Sequence, residues 1–361
     1  MPQFGLRRLL RFTGLSHGLA ALLSGNARIL SHNTVNKSAA EECDRYSIPT
    51  GGAVQIGPSA CGSIGCPLSI GLMQELAEAP NPEPAFAMRE RFVETKDGKA
   101  CIAAIVCEPL EQAGFVNAFS TRLGGVSPLP SNSLNLAYFK GDDKDNIAEN
   151  RRRFLNAIGA EHASIASARQ THSTERCTIE SPVQTRGPQP ECDAMITRVT
   201  DVLLGIQTAD CLPVLIGDTK TGSIAAIHAG WRGTAGRITE RTVADLMLVQ
   251  GVNPRDCIAA LGPAACVDCY EVGEDVIERY QKEFGYWRTL IVNLKANGKA
   301  HLNIRAANVQ QLRFCGFTDD RIHVADYCTM HQNELFFSYR REGKGQPSGV
   351  GRLLSVIGKL G

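Results

Sequence analysis

The order of elements legible in the sequence is that of an α+β fold. The first of three observations agrees with this fold class, and the other two bound the chain to a packed domain without a membrane span. Strand-like and helix-like segments follow one another without the strict alternation of a βαβ protein. Hydrophobic residues make up 43% of the 361, enough to bury a substantial core. The longest apolar stretches fall well short of the roughly 18 residues that a membrane span needs.

The elements justify themselves in chain order. RFVET and KACIAAIVC flank Lys96-Asp97-Gly98, and Asp-Gly between two apolar runs predicts a hairpin. An apolar run at 115–119 reads as the next strand. Residues 144–158 carry apolar positions at three- and four-residue spacing and read as a helix. The runs 202–207, 213–216 and 223–228 are short, apolar and strand-like. A helix follows at 236–249, then a strand at 257–261 and a helix at 273–284. Strands at 290–293 and 322–325 enclose a last helix at 303–314. No internal repeat is present.

A net charge of +1 gives no global reason to expect nucleic acid or an anionic membrane as partner. The neutral total hides an asymmetry. Residues 1–40 hold Arg7, Arg8, Arg11, Arg28 and Lys37 and no acid, leaving 33 basic against 37 acidic residues in the remainder. An Arg- and Ser-containing, acid-free leader with interspersed leucines has the composition of an organellar transit peptide, for chloroplast or mitochondrion. A leader without an address, and so a cytoplasmic protein, is the alternative. Residues 41–90 include TGGAVQIGPSACGSIGCPLS and APNPEP, the composition of a disordered linker. The domain proper is expected over 91–361.

The 13 cysteines do not read as a disulfide framework in so long a chain without a good secretory signal. Several sit in apolar runs, as Cys101 and Cys107 do, where a free thiol behaves as a small hydrophobe. Cys266-Val-Asp-Cys269 has the CxxC spacing, but no second CxxC or His pair lies at zinc-finger distance, so these two are assigned to core thiols. Arg151-Arg152-Arg153, with Glu149 nearby, is assigned to a solvated helix face.

Three residues stand in settings that suit chemistry. His172 lies in the polar stretch Ala168-Arg-Gln-Thr-His-Ser173. Cys211 follows the strand VLLGIQ through Thr208-Ala-Asp210, and His228 closes SIAAIH ahead of Ala229-Gly-Trp-Arg-Gly233. A His/Cys/His set suits zinc, and three protein ligands leave the fourth tetrahedral position open, as catalytic sites do. The spacings of 39 and 17 residues match no short metal motif. A Cys/His nucleophile pair, or a buried thiol with two hydrogen-bonded histidines, fits the same residues. After His228, Gly230 and Gly233 expose backbone before a helix near Gly236, and Arg232 offers a bidentate clamp for phosphate or carboxylate. A glycine turn set by packing is the other reading.

Taken together the motifs form a pattern. FSTRLGGVS at 119–127, SLNL at 133–136, NIAENRRR at 146–153, QTH at 170–172, TADC at 208–211, HAGWRG at 228–233, CYEVG at 269–273 and FSYRR at 337–341 appear in that order. The sequence resembles, over about residues 91–361, the laccase-domain family, formerly called multicopper polyphenol oxidases. The resemblance implies an α+β sandwich of two central sheets with helices outside. It implies a zinc-dependent purine nucleoside phosphorylase with adenosine deaminase activity, acting on adenosine, inosine, guanosine and S-methyl-5'-thioadenosine with phosphate. It implies His172, Cys211 and His228 as metal and catalytic centre, with Asp210 in support. Arg232, Gly230, Gly233, Arg122 and Arg340 become the phosphate- and substrate-binding candidates. Zinc is the expected metal, with copper as the alternative.

Two positions depart from the family pattern: Ser173, where the family has Gly, and the first half of GPAACVDCYEVG. Rival readings are a metal-free Cys/His hydrolase or deamidase, a copper-dependent polyphenol oxidase, and a non-catalytic module folded by zinc. The eight histidines include no His-x-His pair, and two of them lie in the leader, which argues against a multicopper cluster.

Overall fold

The computed structural model describes residues 85–361 apart from 97, 130–132, 139–140 and 344–348. The leader, most of the linker and Asp97 of the hairpin turn lie outside the described residues. A hairpin of β1 (Phe86–Thr95) and β2 (Gly98–Cys107) opens the fold. The helical turn α1 (Glu108–Gln112) leads to β3 (Val116–Ser120), and α2 (Lys144–Ala157) follows. Next come β4 (Ser164–Ser167), β5 (Arg176–Ile179), β6 (Ala194–Thr197), β7 (Val202–Thr208), β8 (Leu212–Asp218) and β9 (Ile224–Ala229). Helices α3 (Trp231–Ala235) and α4 (Ile238–Gln250) precede β10 (Cys257–Leu261). The chain ends through β11 (Glu271–Val272), α5 (Glu274–Glu283), β12 (Ile291–Val292), β13 (Ala300–Leu302) and α6 (Ile304–Phe314). After these come β14 (Ile322–Val324), α7 (Tyr339–Glu342) and β15 (Leu353–Gly358). No helix among the described residues is long and apolar enough to cross a membrane.

Two six-stranded sheets result, β1-β2-β3-β15-β7-β4 and β14-β10-β8-β9-β6-β5, with a small β11-β13-β12 sheet beside them. Strand periodicity explains how they stack. Successive side chains point to opposite faces, and here both faces are buried, so the central strands are apolar throughout. On β8, Leu215 joins a core shared with Ile206, Ile357 and Phe119 of the other sheet. Its neighbours Val214 and Ile216 face away, onto Val243 and Leu246 of α4 and Leu312 of α6. On the first sheet, Leu203 and Val356 face outward onto Phe154 of α2. Each such side chain stabilises the fold by about 1.5–3 kcal/mol when fully buried. The layers are therefore helix, sheet, sheet, helix.

All four expected helices and the expected strands are present, with ends shifted by a few residues. β1 starts at Phe86, so 86–90 belong to a strand and not to the linker expected to reach 90. Phe86 pairs with Cys107 across the hairpin and its ring lies 6.1 Å from that of Phe119. The glycine turn expected after His228 is a helix from Trp231, and α4 begins at Ile238. Strands β4, β5, β6 and β15 escaped the sequence reading because four to six residues carry no decisive periodicity. The solvated face expected at 151–153 holds only for Arg152. Arg153 is buried against the Gly124 carbonyl, and Arg151 donates to that of Leu136.

Candidate metal centre

Sheet register brings the three residues together. β8 and β9 run antiparallel with Leu212 opposite Ala229 and Pro213 opposite His228, so Cys211 and His228 reach the same end of one sheet. Strand β6 pairs with β9 on the other side, and the His228 N–H donates to the Asp193 carbonyl at 2.7 Å. His172 arrives on the segment after β4. That segment is pinned by Gln170, whose amide donates to the Gln207 carbonyl at 2.7 Å and accepts the Gln207 N–H at 2.8 Å.

One ligand atom from each of His172, Cys211 and His228 lies within 4.8 Å of the others. The Cys211 sulfur is 4.0 Å from His172 Nε2, and the imidazoles meet edge to face with centroids 4.8 Å apart. Gly230 closes this corner without a side chain: a Cβ there would sit 3.3 Å from the Cys211 sulfur and 3.2 Å from the His172 ring.

The organising group is Asp193, fully buried at the start of β6. Its Oδ1 accepts from His228 Nδ1 at 2.8 Å and from the His172 N–H at 3.0 Å. Its Oδ2 accepts from the Ser173 N–H and hydroxyl, both at 2.7 Å, and from Thr171. These bonds hold His172 in the left-handed region at φ 59°, a conformation that costs a non-glycine residue about 1–2 kcal/mol. They also leave Nε2 as the free nitrogen of His228. Sequence reasoning missed Asp193; the only hint was a carboxylate immediately before the apolar run AMIT.

The electrostatics follow from burial and pairing. Burial raises the Cys211 thiol, but the His228 charge and hydrogen bonds from both histidines outweigh it and bring the thiol down to about 6. Burial lowers His228, but the Cys211 charge and the Asp193 hydrogen bond lift it to about 9. Burial works against the Asp193 carboxylate, yet His228 and Ser173 hold it well below the usual carboxylate range. A thiolate with two oriented imidazoles fits a metal ion that accepts nitrogen and sulfur, with one position left open.

The set opens into a cavity of about 520 Å³ whose other walls include Tyr138, Arg169, Gln170, Gln207, Tyr339 and Arg352. A larger cavity of about 650 Å³, beside the β1–β2 hairpin, is lined by neither His nor Cys.

The family model described as multi-copper polyphenol oxidoreductase laccase matches residues 116–359. The chain belongs to this family. A relative named purine nucleoside phosphorylase, from Deinococcus radiodurans, is 39% identical over 243 residues, covering 67% of this chain and 88% of that protein. A relative named adenosine deaminase RL5, from an unknown prokaryotic organism, is 34% identical over 235 residues, covering 63% and 89% respectively. The crystal structure of YlmD from Geobacillus stearothermophilus has a TM-score of 0.66 and 27% identity, covering 75% of this chain and all of that one.

The remaining residues expected from the family pattern divide. Asp210 is buried behind Cys211 in the left-handed region (φ 86°). Its carboxylate accepts the Thr329 hydroxyl and the Arg340 N–H, each at 2.7 Å, so it shapes the turn and bonds to neither histidine. Arg340 sends its guanidinium over the Tyr270 ring and to the Glu271 carbonyl. Arg122 is buried on Glu342 at 2.8 Å and on the carbonyls of Asn333 and Phe336, so it ties loops together. Arg232 is exposed, stacks on Trp231 at 4.3 Å, and lies off the cavity wall. Gly233 is interior to α3, where a Cβ would press on the Ser173 carbonyl at 3.0 Å. Ser173 itself turns its hydroxyl to Asp193. Two cations line the cavity: Arg169, exposed and paired with Glu191, and Arg352, partly buried, which sequence reasoning missed.

Proposed function

We propose that the chain is a zinc-dependent purine nucleoside phosphorylase with adenosine deaminase activity. Its reactions would be nucleoside plus phosphate to base and ribose 1-phosphate, and adenosine plus water to inosine and ammonia. The observation that carries this reading is the three-ligand His172/Cys211/His228 set, held by a buried carboxylate and open to a nucleoside-sized cavity. The names of the relatives at 34% and 39% identity support the same pair of activities.

Zinc, when bound, supplies a Lewis acid at the cavity floor for orienting phosphate or activating water. The chain supplies the rest. Asp193 fixes the His228 tautomer and carries the strained His172 turn, so the ligands need no reorganisation. Arg352 offers a guanidinium for phosphate, and the rings of Tyr138 and Tyr339 offer flat surfaces on which a purine can stack. Copper is the alternative metal for the same ligands. The leader composition supports an organellar destination.

One observation favours a second reading. A thiol at about 6 beside an imidazole at about 9 is also the pair of a cysteine nucleophile and its base. Incubating adenosine and inosine with the purified protein, with and without phosphate, and separating products by chromatography tests both. The first reading expects free base only with phosphate, and loss of activity after chelation that zinc restores. Base release independent of phosphate overturns it, and activity indifferent to chelation favours the metal-free hydrolase.

A further inference from the structure

We propose that Cys266, Cys269, Cys328 and His331 form a second, closed metal site that takes zinc and braces the loop behind Cys211. Three sulfurs and an imidazole nitrogen converge there, all within 4.8 Å of one another. The Cys269 sulfur is 3.1 Å from His331 Nε2. The ligands come as two pairs with the same spacing, Cys266-x-x-Cys269 and Cys328-x-x-His331, on loops 62 residues apart. The sequence reading had only the first pair, since a partner at that distance is invisible until the chain folds.

Three features separate this cluster from core thiols. Cys107, Cys192 and Cys257 are buried within the apolar cores, whereas Cys266, Cys269 and Cys328 belong to none of them. Each pair is bent by a tight turn: the Cys269 and Tyr270 N–H groups donate to the Cys266 carbonyl, and the Gln332 N–H donates to that of Cys328. Two main-chain N–H groups, of Cys266 and His331, point at the Cys328 sulfur at 3.4 Å each. A thiol is a weak acceptor, and paired N–H donors suit a thiolate that a metal has deprotonated.

Four protein ligands leave no open position, which makes the site structural, and three thiolates with one imidazole select zinc over hard cations. Its place in the fold says what it would brace. The Ala265 N–H, next to Cys266, donates to the Asp210 carbonyl at 3.0 Å, and Thr329, between Cys328 and His331, donates to the Asp210 carboxylate. Arg305 spans the same two loops through the carbonyls of Ala264 and Tyr327. An ion joining both loops would thus hold the strained Asp210 turn that presents Cys211.

The test is zinc stoichiometry in the full chain, purified from zinc-supplemented culture and dialysed against a weak chelator. The Cys211→Ala/His228→Ala double variant is expected to keep one zinc per chain. Filling that variant with Co²⁺ should give the strong thiolate charge-transfer absorption of a centre with three sulfurs. Cys269→Ser/Cys328→Ser should lose one zinc relative to the unmodified chain and melt several degrees lower. Should it fail to fold, the first variant still decides. A Cys211→Ala/His228→Ala protein that is folded but free of zinc, or that binds Co²⁺ without thiolate absorption, overturns the proposal. Because this variant lacks the first site, the result does not depend on the activity proposed above.

Discussion

Replacing Asp193 with asparagine tests the central claim about the metal centre. The carboxylate has N–H donors on both sides: His228 Nδ1 and the His172 N–H at Oδ1, and the Thr171 and Ser173 N–H groups at Oδ2. Asparagine must turn its NH₂ to one side, so two N–H groups lose their acceptor whichever way the amide is set. At about 1–3 kcal/mol for each orphaned buried donor, the loss is roughly 2–6 kcal/mol. In a domain of this size that lowers Tm by at least roughly 4 °C. If the amide faces His228, the ring is driven to the tautomer that protonates Nε2, the nitrogen needed for the metal. If it faces Ser173, the His172 turn loses its anchor. Either way zinc should bind about 10–100-fold more weakly. Competition against a fluorescent zinc indicator, alongside thermal unfolding followed by circular dichroism, measures both. Zinc affinity within about twofold of the unmodified protein, together with an unchanged Tm, would refute the assignment of Asp193 as the positioning group.

Arg352→Met should raise the phosphate KM by about one to two decades, the equivalent of a charge-assisted contact of roughly 1.5–3 kcal/mol, and spare adenosine deamination. Arg232→Met should leave both reactions nearly unchanged; the reverse pattern, read from the ratio of ribose 1-phosphate to inosine, returns the phosphate role to Arg232. In zinc-free protein, alkylation of Cys211 should accelerate as pH rises through about 6, because the thiolate is the reacting form and His228 stabilises it. His228→Gln should move that midpoint upward; peptide mass spectrometry that finds it near the ordinary thiol value of about 8.5 in the unmodified protein contradicts the ion pair. Residues 1–60 fused to a fluorescent protein should carry it to an organelle, and a uniform cytosolic signal defeats that reading.

The sequence by itself determined what is local. Apolar runs marked the central strands, and three- and four-residue spacing marked helices 144–158 and 303–314, because burial of one face or both leaves its period in the chain. His172, Cys211 and His228 stood out because each is a chemically capable side chain beside an apolar strand or a polar turn. Only the tertiary structure decided what depends on register and on contacts across the chain. Antiparallel pairing of β8 with β9, and of β9 with β6, put Cys211, His228 and Asp193 at one sheet end. It turned Arg122, which shares a motif with the family, into an internal tie, and gave the cavity wall to Arg352 near the last strand. It also brought Cys328 and His331 to a CxxC pair 62 residues earlier. A hydrogen-bond partner or fourth ligand can come from any distance along the chain, so no window of sequence contains it; the packing of two sheets does.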